Sequence, residues 1–373
     1  IGNNASMTFN GNVTLDTDGQ GGASDTGTGG TGTGGSSRIT SVLDSTTGGL
    51  VTINANVELS ADGSGGASGS GTGGVGQGGA AYIFSPAHQY VVNGDANLHA
   101  AGLGGASDTG TGGAGTGGSA EIISAGSEVD ISGTVSLGST GQGGSGAVGG
   151  AGTGGEVLLS SSSNIALPGS VYVYSDGFGG ESSGGTGGVG TGGFIDVQAQ
   201  SGGDLAIGNL NASAFGMGGA SGAAGFASGA GLGGDIDIRA SADGNLAISG
   251  DLDANADGYG GFVSDLGVNG GLGDGGSIEL LATGANALLT VGGISSLQAN
   301  GLGTDAGGFC FLCSGTGGDG QGGTIDVAVN GANAQMLLSG NLNAEAEGHG
   351  GTGGDANGGF GQGGSVSIRA YDG

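Results

Sequence analysis

A block of 14 to 22 residues saturated with glycine recurs nine times along this chain, and each block ends in a Gly-Gly pair. A short stretch of alternating apolar residues follows each pair at once, and successive stretches begin 37 to 47 residues apart. Self-similarity at a nearly fixed period marks a repeat architecture, in which each unit is stacked on the next. The nine stretches begin at Ser36, Ala80, Ser119, Glu156, Phe194, Asp235, Ser277, Thr324 and Ser365.

Glycine accounts for 105 of the 373 residues. Such a content without a strict Gly-x-y period usually indicates low complexity or disorder, but the alternating stretches between the blocks argue against disorder here. The chain has only two prolines and no triplet register, which excludes a collagen triple helix. We therefore expect residues 1–373 to form a single elongated solenoid whose core runs along its axis.

The sixth unit, residues 203–240, shows how one repeat is organised. Apolar residues alternate with small or polar ones over 204–209 and again over 210–216, and the glycine block follows. After the block, Ile236 and Ile238 fall on one face, and Asp237 and Arg239 fall on the other. Alternation with a period of two predicts strands, so each unit contains three strands that each bury one face.

Three strands per unit predict a three-sided parallel β-helix of about nine coils. Without its glycine block a unit keeps about 25 residues, which suits one coil. A single coil of this size cannot bury enough apolar surface to offset the ordering of its backbone, so stability must come from stacking. Nine coils stacked at about 4.8 Å give a rod roughly 40 Å long. Neither end carries a polar cap, so we expect further coils or copies of the chain, end to end or side by side, as partners.

Each glycine block joins the second strand of its unit to the third, so all nine leave the same edge of the rod. One interpretation is a set of flexible loops. The regular Gly-Thr-Gly-Gly motifs favour another, in which each block runs out and back as an arm of polyglycine-II-like chain, with only glycine at the crowded contacts between arms. The nine arms span residues 20–35, 64–79, 103–118, 142–155, 178–193, 217–234, 259–276, 302–323 and 349–364.

Charge and composition exclude several classes of partner. Thirty-two acids face three arginines and no lysine, which gives a formal net charge of −29. Nucleic acids and anionic membranes need basic patches, so we expect no nucleic-acid binding. No apolar stretch reaches the length of a membrane helix, so we expect no membrane insertion. Strong negative charge favours solubility and the attraction of cations.

Residues 244–256 (GNLAISGDLDANA) and 322–327 (GGTIDV) resemble the β-helix repeats of filamentous haemagglutinin-like bacterial adhesins and autotransporters. The glycine blocks are similar to the polyglycine-II layers of some phage adhesin tips and glycine-rich antifreeze proteins. The first resemblance implies a secreted or surface-displayed filament, located outside the cell. The adhesin repeats usually lack such regular arms, and here the chain departs from that pattern.

Acidic residues recur at the outward positions of the third strands. Carboxylates stacked about 4.8 Å apart repel one another, so they must be splayed into solvent, neutralised by Arg239 or bridged by a hard cation such as Ca²⁺. Apart from Ca²⁺ we expect no cofactor. A second acidic set precedes the glycine that opens an arm, where Asp-Gly turn chemistry explains it. The first set is Asp196, Asp237, Glu279 and Asp326, and the second is Asp18, Asp62, Asp176, Asp257 and Glu347.

Cys310 and Cys313 lie in the longest arm. A zinc site needs two more ligands, and the three histidines belong to other coils. We therefore predict a local disulfide that pins the arm tip, with free thiols as the alternative.

The sequence favours a structural function, as a segment of an extracellular, self-assembling filament or adhesin shaft. An alternative is a surface-binding module that recognises a glycan, a receptor or ice through its arm layer. The chain could also be a polysaccharide-active enzyme, since many β-helices are. However, a lyase needs basic residues, and a hydrolase needs an acid pair unlike the periodic acids seen here. We therefore expect no enzymatic activity.

Overall fold

The computed structural model describes residues 6–40, 49–263, 267–306, 315–354 and 356–371. Over these ranges the chain winds into nine stacked coils of β-strands, and the described residues contain no helix. It follows that no described segment offers a helix able to cross a bilayer. The predicted three-sided parallel β-helix with nine coils is confirmed.

Each coil contributes a first strand, a second strand and, after its arm, a third strand, and each of them stacks on its equivalents in the neighbouring coils. In coils 5 and 6 the first and second strands are continuous, as Asn164–Tyr174 and Asp204–Ser213. The other first strands are Ser6–Phe9, Leu50–Ile53, Gln89–Val92, Glu128–Ile131, Asn245–Ile248, Leu288–Val291 and Gln335–Leu338. The other second strands are Val13–Asp16, Val57–Ser60, Ala96–His99, Val135–Gly138, Leu252–Asn255, Ser295–Gln298 and Leu342–Glu345.

The third strands begin at the nine residues that the Gly-Gly landmarks predict. A Gly-Gly pair ends each arm, and the alternating apolar pattern then sets the inward face of the strand that follows. The third strands are Ser36–Thr40, Ala80–Ser85, Ser119–Ser124, Glu156–Ser161, Phe194–Gln200, Asp235–Ser241, Ser277–Thr283, Thr324–Asn330 and Ser365–Tyr371.

Every arm has an outgoing leg and a returning leg, and each leg contains a two-residue strand that pairs with its equivalents in neighbouring coils. The outgoing strands are Gly19–Gln20, Gly63–Ser64, Gly102–Leu103, Gly141–Gln142, Gly177–Phe178, Gly216–Met217, Gly258–Tyr259, Gly301–Leu302 and Gly348–His349. The returning strands are Gly32–Thr33, Gly76–Gln77, Gly115–Thr116, Gly152–Thr153, Gly190–Thr191, Gly231–Leu232, Gly273–Asp274, Gly320–Gln321 and Gly361–Gln362.

Pairing is parallel throughout and joins equivalent residues of successive coils. The third strands form one nine-stranded sheet, each set of leg strands forms another, and the first and second strands share a sheet through the two continuous strands. One irregularity occurs between coils 5 and 6, where the register shifts between Leu167 and Ser170. Proline at 168 and glycine at 169 mark this corner. Apart from this shift, equivalent residues of the nine coils pair in register from end to end.

A single apolar cluster fills the rod from Val51 to Val327. Its members are the inward residues that the alternation predicts, such as Ile195, Ile236 and Ile278, which are stacked in register and almost fully buried. The third inward position of a strand is a buried Ala or Ser, as at Ala199 and Ser161, which keeps the corners narrow.

The inward faces of the two end coils are exposed. Met7 and Phe9 pair in register with Val51 and Ile53, yet they are 46% and 40% exposed. At the other end Ile368 is 70% exposed. Their exposure agrees with the expected lack of a polar cap at the ends, because a core layer is covered only when a coil lies on both sides of it.

Candidate functional site

The nine arms form an ordered second layer beside the core, built from backbone contacts. Outgoing legs bond to outgoing legs of the next coil, as in Gly21 N–H to Ser64 O at 2.8 Å. Bonds also cross between legs: Gly105 donates to the Gly74 carbonyl at 2.8 Å and accepts from Gly113 at 2.7 Å. Bonding in several directions at once is the polyglycine-II-like arrangement that the sequence predicts, and it replaces the interpretation as flexible loops.

Glycine is required in this layer because neighbouring legs approach too closely for a side chain. A Cβ placed on Gly105 would lie 2.1 Å from the carbonyl oxygen of Gly66. The same conflict recurs in coil after coil, for example at Gly144 against Gly105 and at Gly180 against Gly144. The glycine content of the chain therefore follows from close packing of backbone against backbone.

Serine side chains connect the turns at the arm tips. The hydroxyl of Ser68 accepts the N–H of Gly71 in its own turn at 2.8 Å and donates to the Gly27 carbonyl of the preceding coil at 2.6 Å. Ser107 repeats both bonds, donating to Gly71. Sequence reasoning missed this ladder, although a serine at the same offset in several arms was its visible signal.

The four acids of the predicted ladder occupy equivalent, paired positions in successive coils. Asp196 pairs with Asp237, Asp237 with Glu279, and Glu279 with Asp326. Arginine neutralises part of it: an Nη of Arg239 lies 2.6 Å from Asp196 and the other Nη lies 3.8 Å from Asp237. Arg369, which sequence reasoning did not assign to the ladder, forms an ion pair with Asp326.

Burial changes the acidity of this ladder. Burial raises the pKa of Asp196 to about 6, although Arg239 opposes the shift, and Asp237 and Glu156 add to it. The pKa of Asp237 and that of Glu279 are also raised, in both cases chiefly by burial. One carboxylate oxygen of Asp196 is buried without a hydrogen-bond partner, which is consistent with the destabilised anion.

No group of three or more His, Cys, Asp or Glu side chains among the described residues is arranged to hold a metal ion. The four acids follow one another singly from coil to coil, and two arginines lie among them. Calcium binding at Asp196, Asp237, Glu279 and Asp326 therefore stays a prediction without a ligand cluster to support it. Cys310 and Cys313 lie outside the described residues, so the disulfide stays a prediction as well.

The second acidic set, at the start of the arms, joins one coil to the next. A carboxylate oxygen of Asp62 accepts the N–H of Ala101 at 2.6 Å, and Asp257 accepts the N–H of Asn300 at 2.6 Å. Asn300 in turn accepts from Glu347 at 2.8 Å. These side chains thus do more than favour a turn, because each one satisfies a backbone donor of the following coil.

His99 adds a charge-assisted contact to this ladder. Its Nδ1 lies 3.1 Å from Asp62, and this hydrogen bond raises the pKa of His99 while burial opposes the rise. Burial acts to raise the pKa of Asp62, but the bonds from His99 and from the Ala101 N–H outweigh it and leave that pKa lowered. The pair is therefore most stable when His99 is protonated.

Comparison with known proteins adds no relative from which a function could be transferred: no protein-family model, curated protein or solved structure matches the chain.

Proposed function

We propose that this chain is a structural segment of an extracellular filament or adhesin shaft. The observation that carries the proposal is the parallel stacking of nine coils, which extends through the core strands and both legs of the arms with one register shift, between coils 5 and 6. A continuous apolar core and a second layer of interlocked backbone make a stiff two-part blade. Stiffness and length are the properties that a shaft needs.

The end coils support assembly along the axis. Their strands present apolar residues and unpaired strand edges, with Met7 and Phe9 at one end and Val366 and Ile368 at the other. Such edges pair with any strand that matches them. A further coil of the same kind, in the same chain or in another copy, would continue all the stacks at once.

The adhesin assignment and the extracellular location are part of the proposal. They rest on the resemblance of residues 244–256 and 322–327 to filamentous haemagglutinin-like repeats. The parallel β-solenoid architecture agrees with that resemblance. The net charge of −29 opposes side-by-side association of rods, so contact through the ends is favoured over contact through the flanks.

Electron microscopy of the purified chain tests the proposal. We expect rods that join end to end, with an axial repeat of about 40 Å for nine coils. Ile368→Asp places a charge on the exposed end and should shorten the rods to single units. Val189→Asp is the matched control, because Val189 is an exposed apolar residue on an arm of a middle coil. Single units in the unmodified protein at high concentration, or equal shortening by both variants, would contradict end-to-end assembly.

A further inference from the structure

A groove of about 730 Å³ runs along the rod axis on the outgoing face of the arms. It extends over coils 3 to 6 and is closed at its far end by Phe262 of coil 7. One wall carries Leu103, Gln142, Phe178 and Met217, which occupy the same position in four successive coils. Nothing in the shaft function requires this groove.

The floor of the groove is bare backbone. It consists of Gly104 and the Gly-Gly pairs at 143–144, 179–180 and 218–219. These glycines cannot be replaced, since a Cβ on Gly179 would meet the Gly188 carbonyl and one on Gly180 would meet that of Gly144. The floor is therefore flat and held rigidly by the hydrogen bonds of the arm layer.

Phe178 of the groove wall belongs to a row of aromatic rings, whose other members, Phe215 and Tyr259, do not line the groove. Phe178 and Phe215 have ring centroids 6.2 Å apart, and Phe215 and Tyr259 have centroids 5.1 Å apart, both pairs in a tilted arrangement. Phe262 is 66% exposed. The ring of Phe178, which packs against Phe215, and the exposed ring of Phe262 offer faces on which a planar or chair-shaped ligand can stack.

The polar groups of the groove select against anionic ligands. Gln142 and Glu181 line it, and no arginine or lysine does. With a net charge of −29 the chain repels anionic polymers. A second copy pressed into the groove would desolvate the Glu181 carboxylate with no cation from the lining, which is costly. A ligand rich in hydroxyl groups can bond to Glu181 and Gln142 without that penalty.

We propose that this groove binds a linear, uncharged polysaccharide that lies along the rod axis. Its sugar rings stack on Phe178 and Phe262, and its hydroxyl groups bond to Gln142 and Glu181. The wall residues repeat once per coil, about every 4.8 Å, which suits an extended chain of pyranose units. Apolar lining with a few placed polar groups is the usual composition of a ligand site.

Calorimetric titration with a panel of neutral oligosaccharides (beta-linked glucans, mannans and N-acetylglucosamine oligomers) tests the proposal, with polygalacturonate as the acidic comparison. We expect neutral members to bind and polygalacturonate not to bind. Phe262→Ala should weaken binding about tenfold, which corresponds to about 1.4 kcal/mol. Phe360→Ala is the matched control: Phe360 is 65% exposed and lies in the returning leg of coil 9, outside the groove. It should leave the affinity unchanged.

Failure of every neutral member to bind, equal binding of polygalacturonate, or equal losses in the two variants would overturn the proposal. Sedimentation velocity adds a further outcome: self-association abolished by Phe262→Ala would identify a second copy as the occupant and would also overturn it. Phe262 lies in coil 7, two coils away from the end coil that carries Ile368, so rod assembly should survive its replacement. Loss of glycan binding and failure of the shaft proposal are thus observed separately.

Discussion

Replacement of Gly105 by alanine tests whether the arms are a close-packed layer. The new Cβ would lie 2.1 Å from the Gly66 carbonyl oxygen, so the two legs must separate by more than 1 Å, about a third of a normal contact distance. Overpacking of this kind costs about 1–3 kcal/mol. Separation also weakens the bonds of Gly105 with Gly74 and Gly113, at about 0.5–1.5 kcal/mol each. We expect a local destabilisation of about 2–6 kcal/mol in the arms of coils 2 to 4.

Hydrogen exchange measured by mass spectrometry is the suitable assay, because a stacked repeat protein opens locally as well as globally. A loss of about 2–6 kcal/mol should accelerate exchange of the arm amides by roughly one to four orders of magnitude. Gly22→Ala is the matched control. Gly22 is the equivalent residue of coil 1, and no atom lies within 4 Å of its added Cβ. Its effect should stay within about 1 kcal/mol and could be stabilising. Similar exchange in the two variants would refute the close-packed arm layer.

Three further predictions concern the ladders. Because the pKa of Asp196 is raised to about 6, the folded chain binds more protons than the unfolded chain between about pH 4 and about pH 6. The free energy of unfolding, measured by urea unfolding, should therefore fall by about 2–3 kcal/mol as pH rises through this window. Asp196→Asn should remove this fall. Asp62→Asn should lower the pKa of His99 in an NMR titration, and an unchanged value would contradict their coupling. Asp257→Ala leaves the Asn300 N–H unpaired, which should cost about 1–3 kcal/mol and appear as faster exchange of that amide.

Much of the fold could be predicted because local signals repeat. The Gly-Gly pairs mark the starts of the third strands, and the period-two alternation identifies inward residues such as Ile236 and Ile238. Exposure of Met7 and Ile368 could not be read from the same alternation. A side chain is buried by the neighbouring coils. The pattern within one strand therefore predicts the direction in which a side chain points, but it does not predict whether a coil lies on each side to bury it.

The lateral features were harder to predict because they join residues at different offsets in different coils. Phe178 and Tyr259 share one repeat position, while Phe215 sits two residues before that position in its own coil, and only the stacked structure brings the rings together. The pairing of Arg369 with Asp326 is similar, since the arginine side chain crosses from one coil to the preceding one. Ladders of residues at the same repeat position can be predicted from the sequence, whereas contacts between different repeat positions cannot.

Parallel pairing of successive coils directs the inter-coil hydrogen bonds along the length of the rod. A tensile load applied to its ends would therefore pull on all the bonds of one coil boundary together, in the core and in both legs of the arm, such as those of Gly102 and Gly115 with coil 4. If the hydrogen bonds of one strand stack break, the load that they carried passes to the other stacks. The molecule should accordingly resist stretching until all the hydrogen bonds between two coils break in a single event. Because the glycine legs have almost no side chains, the hydrogen bonds of the arm layer lie close enough to the core to share the force.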